Sequence, residues 1–144
     1  MSKLLFALFL FSTSSGSLLS QELTLYDRQG EAIAYVDFHE DATIFLWDGT
    51  PVAFLEEGGQ ERGVFGFNAT FLGWYEDGVV YDKEGYMVGA SENELAVMPK
   101  LEPIKGLPQL VPIQPITPLP PLQPLLKMSW SSLSLLEFLS DGKQ

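Results

Sequence analysis

The chain has 144 residues, no cysteine and a formal net charge of −11, with 19 acidic residues against 8 basic ones. That length gives one small domain and little else. Without cysteine there is no disulfide framework, thiolate zinc site or thiol nucleophile, and the acidity excludes nucleic acid and anionic lipid headgroups as partners.

Residues 1–20 read as an export signal. Lys3 supplies the positive start, residues 4–11 form an apolar run, and residues 12–20 are small and polar apart from Leu18 and Leu19. The run is too short to span a bilayer. Cleavage after Ser20 gives a periplasmic, cell-surface-associated or secreted protein with no transmembrane segment. The competing reading is a buried N-terminal strand or helix.

Between residues 21 and 98 a motif appears in four copies. An aromatic residue and an Asx residue lead into a turn, and the chain returns through an aliphatic residue and then a small one. The copies are Tyr26 and Asp27 with Ile33 and Ala34, Trp47 and Asp48 with Val52 and Ala53, Phe67 and Asn68 with Leu72 and Gly73, and Tyr81 and Asp82 with Val88 and Gly89. Asx side chains open turns by bonding the backbone two residues on, and Gly30, Gly49 and Gly85 supply positive φ. The β-branched and aromatic flanks read as strands, so each copy predicts a β-hairpin. The third copy departs from the pattern, with Ala69 and no turn glycine. The spacing from Asx to aliphatic residue pairs the first copy with the fourth and the second with the third.

Recurrence at about 20 residues means that each unit buries its face against its neighbours. The invariably small residues Ala34, Ala53, Gly73 and Gly89 then mark a pseudo-four-fold axis, where only Ala or Gly leaves room. Three positions beyond each stands an acid: Asp37, Glu56, Glu76 and Glu92. Around such an axis they make a ring of carboxylates able to take a hard cation. The competing reading is that strands end there and enter solvent.

Residues 99–127 are a proline-rich strap. Nine of the chain's ten prolines lie between Pro99 and Pro124. Pro112, Pro115, Pro118, Pro121 and Pro124 stack on one edge of a polyproline II helix, and Ile113, Ile116, Leu119, Leu122 and Leu125 form a second, apolar edge. An apolar residue in every triplet predicts a strap lying along an apolar surface, either its own domain or a partner. The alternative is a spacer. Residues 128–144 form a tail with a short helix, in which Ser134 and Glu137 are placed as a capping box. A helix this short is unstable alone, so it docks on the same chain or on a partner.

The four-copy pattern, the turn over residues 80–85 and the tail over residues 130–139 resemble the bacterial four-fold β-flower family. The resemblance implies an all-β domain of four β-hairpin repeats around a pseudo-four-fold axis, then a polyproline II strap and a short C-terminal helix. It implies no catalytic residue, because the family has no established activity.

Chemistry fails on supply. His39 is the only histidine, with no nucleophile context and no metal-ligand spacing around it. No phosphate-binding loop and no cofactor motif is present. The expected function is a non-catalytic exported interaction or structural module that binds an unknown protein or glycan. Tyr35, Phe54, Trp74 and Tyr75 are the candidate contact aromatics, unless they form the core. The alternative is a small carboxylate-dependent hydrolase or cation-binding protein that uses the acidic ring.

Overall fold

The hairpin turns form as the Asx residues dictate. In the computed structural model, which describes residues 22–56 and 61–142, the Asp27 carboxylate accepts from the N–H groups of Gln29 and Glu31, both at 2.9 Å. Asp82 repeats this with Glu84 and Tyr86. In the shorter second and third turns Thr50 N–H donates to Asp48 and Thr70 N–H to Asn68. The export signal expected over residues 1–20 lies outside the described residues.

These turns join eight strands: β1 (Glu22–Tyr26), β2 (Ala32–Asp37), β3 (Thr43–Leu46), β4 (Pro51–Leu55), β5 (Glu61–Gly66), β6 (Phe71–Glu76), β7 (Val79–Tyr81) and β8 (Met87–Ala90). Each pairs antiparallel with the next, and β8 returns to β1 through Tyr26 opposite Ala90, so the four hairpins close into a barrel. Closure pairs every edge strand, which holds a small cysteine-free domain together without staples.

The four copies share a bulge. Register shifts fall between Leu25 and Tyr26, Ile44 and Phe45, Val64 and Phe65, and Val80 and Tyr81. In each hairpin an aliphatic residue precedes the bulge and an aromatic one follows it. A bulge bends and twists its strand, and this lets such short strands turn the corners of a closed barrel. Directly across from the four aliphatic residues stand Ala34, Ala53, Gly73 and Gly89.

All four small residues are buried, as an axis position requires. The tail takes the space they leave. The helix α1 (Leu135–Ser140) sends Leu135, Phe138 and Leu139 into the barrel core with Leu25, Ile44, Val64 and Val80. A Cβ on Gly89 would sit 2.9 Å from the Leu135 side chain, and one on Gly73 would sit 3.0 Å from the Phe138 ring and against the Tyr81 carbonyl. The tail therefore docks on its own chain, near the turn end of the barrel. Its capping box is complete: Ser134 Oγ accepts from Glu137 N–H at 3.1 Å, and Ser134 N–H donates to Glu137 Oε1 at 3.0 Å. Those bonds favour the charged carboxylate and hold Glu137 below the usual glutamate range.

The barrel's outer wall carries aromatic residues. Tyr35 stacks on Phe45 with ring centroids 5.2 Å apart, and Phe54, Phe65, Phe67 and Phe71 form a second cluster with Val111 of the strap. The strap covers this wall. It starts beyond a 3-10 turn (Glu92–Glu94) beside β1, meets the turns of the first, second and fourth hairpins in that order, and ends where Trp130 bridges to Met87. At about 3.1 Å per residue, residues 98–128 reach roughly 95 Å. Eight strands about 4.8 Å apart and tilted about 40° give a backbone circumference of roughly 50 Å. A chain held outside the side-chain layer thus has the length for a single circuit. Strap, tail and barrel are one folded unit.

Candidate functional site

The strap divides its three polyproline edges between three tasks. The first edge supplies backbone donors. Its non-proline members are Lys100, Gly106, Gln109 and Lys127, and each donates its N–H to a hairpin-turn carbonyl: Gly30, Trp47, Gly49 and Gly85, at 2.8, 2.8, 2.9 and 2.9 Å. Every other position on that edge, from Pro103 through Pro112 to Pro124, is proline. Proline has no N–H to leave unsatisfied where the barrel offers no acceptor.

The second edge anchors side chains. Glu102 accepts from the Tyr26 hydroxyl at 2.7 Å, and burial together with that carboxylate pushes the Tyr26 phenol up to about 12. Lys105 reaches Glu22 at 2.7 Å and lies 4.0 Å from the Tyr35 ring centroid. Gln114 donates to the Asp41 carbonyl at 3.2 Å, and the Thr117 hydroxyl donates to Glu56 at 3.1 Å.

The third edge turns its side chains to solvent. Met98, Leu101, Ile104, Leu107, Leu110, Ile113, Ile116, Leu119, Leu122, Leu125 and Met128 follow one another at three-residue intervals and are 83–97% exposed. The apolar edge predicted over Ile113–Leu125 exists and is longer, and it faces away from the barrel. Monomeric proteins rarely leave so long an apolar surface uncovered without a use for it. Residues 106–126 also contain no charged side chain.

The other expected site residues are placed differently. The acids Asp37, Glu56, Glu76 and Glu92 do not form a ring. Among the described residues no three of His, Asp and Glu are grouped to hold a metal ion. The reason is the pleat: a residue three positions after an inward one points outward. Asp37 and Glu76 end β2 and β6, Glu56 follows β4 and bonds Thr117, and Glu92 opens the 3-10 turn. The competing reading, strand ends entering solvent, describes Asp37, Glu76 and Glu92.

Tyr35, Phe54 and Trp74 follow the alternative reading, as buried residues. Tyr35, Phe54 and Trp74 are only 2%, 3% and 6% exposed and present no open ring face. Tyr75 is half-buried against the main core. Their outer wall is occupied by neighbouring rings and the strap. Burial raises the Tyr35 and Tyr75 phenols above their ordinary value, and Glu22 and Asp37 add to the rise at Tyr35. His39 is exposed, and its N–H donates to Asp37 at 2.9 Å.

One recess adjoins the strap. Its volume is about 490 Å³, and Phe38, Asp41, Phe54, Glu56, Arg62 and Thr117 are among the residues lining it. Arg62 Nε donates to the Glu56 carbonyl at 2.9 Å, so the guanidinium helps fix the end of β4. No helix among the described residues is long and apolar enough to cross a membrane.

A comparison with curated proteins and with solved structures gives no match. Residues 23–139 match the family described as 4-fold beta flower protein. The match takes in the barrel, the strap and the greater part of α1, so the wrapped strap lies within the matched unit. The chain belongs to the 4-fold beta flower family.

Proposed function

We propose that the protein is an exported, non-catalytic interaction or structural module, and that its contact surface is the outward aliphatic edge of the strap. One observation carries this reading: eleven aliphatic and methionine side chains, 83–97% exposed, stand in a single evenly spaced row. The rest of the strap is committed to the barrel by its other two edges. An all-aliphatic row suits a protein partner better than a glycan, because sugar recognition needs ring faces and hydrogen-bonding side chains. The layout of residues 1–20 supports export.

Site-specific photo-crosslinking in cells that export the chain tests the reading. A photoreactive side chain at Leu119 should give a discrete adduct, and one at exposed Glu40 on the β2–β3 connection should give none. Equal labelling at both positions, or none at Leu119, would contradict it.

A further inference from the structure

We propose that the protein carries a second contact site, a recess at the turn of the fourth hairpin that binds a neutral oligosaccharide. It is separate from the strap's outward edge and goes beyond the reading given above. The recess measures about 390 Å³, and its walls include Asp82, Glu84 and Tyr86 of the turn. Trp130, Ser131 and Ser132, which join the strap to α1, close the other side.

Uncommitted polar groups point to a ligand. Elsewhere strap and barrel use such groups on each other: the Tyr26 hydroxyl donates to Glu102 at 2.7 Å, and the Trp47 indole N–H donates to the Pro103 carbonyl at 2.9 Å. Here the Tyr86 hydroxyl and the Trp130 indole N–H bond to no described residue, and neither do the Glu84 carboxylate and the Ser132 hydroxyl. Two aromatic surfaces, several donors and a strong acceptor therefore line one recess. A pyranose uses that set, laying its C–H face on a ring while its hydroxyls both donate and accept.

Charge narrows the class. Asp82 and Glu84 oppose an anion at this wall. The Lys127 ammonium opposes a cation, because it already stands 4.4 Å from the Tyr86 ring centroid and donates to the Glu84 carbonyl at 2.7 Å. A neutral, hydroxyl-rich ligand meets neither barrier. A second recess of about 200 Å³ shares Trp130, Ser131 and Ser132 and continues to Asp27 and Arg28. Trp130 thus stands between two subsites, which suits a chain of sugars better than a single one.

The walls are fixed before any ligand arrives. Met87 N–H donates to the Ser129 carbonyl at 2.9 Å and Ser131 N–H to the Met87 carbonyl at 2.7 Å, with Trp130 held between them. The Trp130 side chain packs on Val79, Met87 and Ala90. Tyr86 N–H donates to the Asp82 carboxylate at 2.9 Å, and the Tyr86 carbonyl accepts from Asp82 N–H at 2.7 Å. Little conformational freedom is then lost on binding.

Calorimetric titration of the full chain, recovered from an exporting host, uses cellotetraose and N-acetylated chitotetraose as probes, whose equatorial linkages present flat apolar faces. The expected result is binding of at least one, with Kd between about 10 μM and 1 mM. Glu84→Ala removes an exposed side chain, so it should weaken binding about tenfold and leave the melting temperature unchanged. Trp130→Phe keeps an apolar ring against Met87 but loses the N–H, and should weaken binding by a similar factor. Leu119→Lys, on the strap edge, should leave sugar affinity as it is. No heat from either probe up to about 10 mM, or an affinity unchanged in both recess variants, would overturn the proposal. So would tetramethylammonium binding more tightly than either sugar, which assigns the rings to a cation. Sugar binding lost with Glu84→Ala, in a chain that gives no crosslink at Leu119, would support this site while contradicting the edge.

Discussion

Gly30, Gly49 and Gly85 answer two demands at once. Each has positive φ, at +84°, +98° and +93°, and each lies where a Cβ would run into a strap carbonyl, that of Met98, Leu107 or Leu125. The third turn separates the demands. Ala69 takes the same backbone region at φ +68°; the third turn is met by the tail, through Phe67 N–H to the Gly142 carbonyl and Asn68 to the Asp141 carbonyl. Positive φ without glycine costs about 1–2 kcal/mol, offset in part by the lower chain entropy of alanine. Ala69→Gly should therefore be neutral or stabilising by up to about 1 kcal/mol. Gly49→Ala should cost more than that and loosen the strap, and chemical denaturation of both variants decides the comparison. Tyr26 gives the pH dependence. Its phenol titrates at about 12 when folded and near 10 when unfolded. The folded state keeps a proton that the unfolded state loses, so the contribution is whole below pH 10 and declines as pH rises from about 10 to 12. Tyr26→Phe should flatten that part of a melting-temperature profile.

At the scale of the element, the strap rests on a rule about donors. Gln109 gives its N–H to Gly49, whereas Pro112, the next member of the same edge, has none to give. Gln109→Pro should cost about 0.5–1.5 kcal/mol through the lost bond, and Pro112→Gln should leave stability close to that of the parent. Equal effects of the two in thermal melts would contradict the rule. Much of the fold was legible because its signals are local: the Asx turns, the alternating flanks and the Ser134–Glu137 box all act within a few residues. The small residues were legible as an axis, but their occupants were not, since Leu135 and Phe138 come from a distant part of the chain. The acid ring failed on parity, because Asp37 lies an odd number of residues from Ala34. The aliphatic repeat begins at Met98 but was visible only from Ile113. Pro99 and Pro108 lie on one edge and Pro103 on another, and this mixed register hides the earlier part. Hydropathy also leaves the direction of that edge open. The barrel takes the other two edges because its turns offer carbonyls and its outer wall is already lined by Tyr35, Phe45, Phe54 and Phe65.

At the scale of the whole molecule, a closed barrel, a plug at one end and a strap around the wall leave the strap's outer edge as the longest uncommitted apolar surface among the described residues. The acidic barrel keeps other surfaces apart, and the uncharged stretch 106–126 is where contact is least opposed. The central claim is that this edge is surface, available for contact, and not part of the core. Thermal melts of two double variants test it most directly. Ile116→Lys with Leu119→Lys changes the outward edge, and Lys105→Ala with Val111→Asp changes the side that meets Glu22, Tyr35 and the phenylalanine cluster. Because ΔΔG of about 1 kcal/mol moves the melting temperature of such a domain by several degrees, the two results are well separated. The account predicts an outward variant that melts within about 2 °C of the parent and an inward variant that melts several degrees lower. An outward variant destabilised as much as the inward one would contradict it.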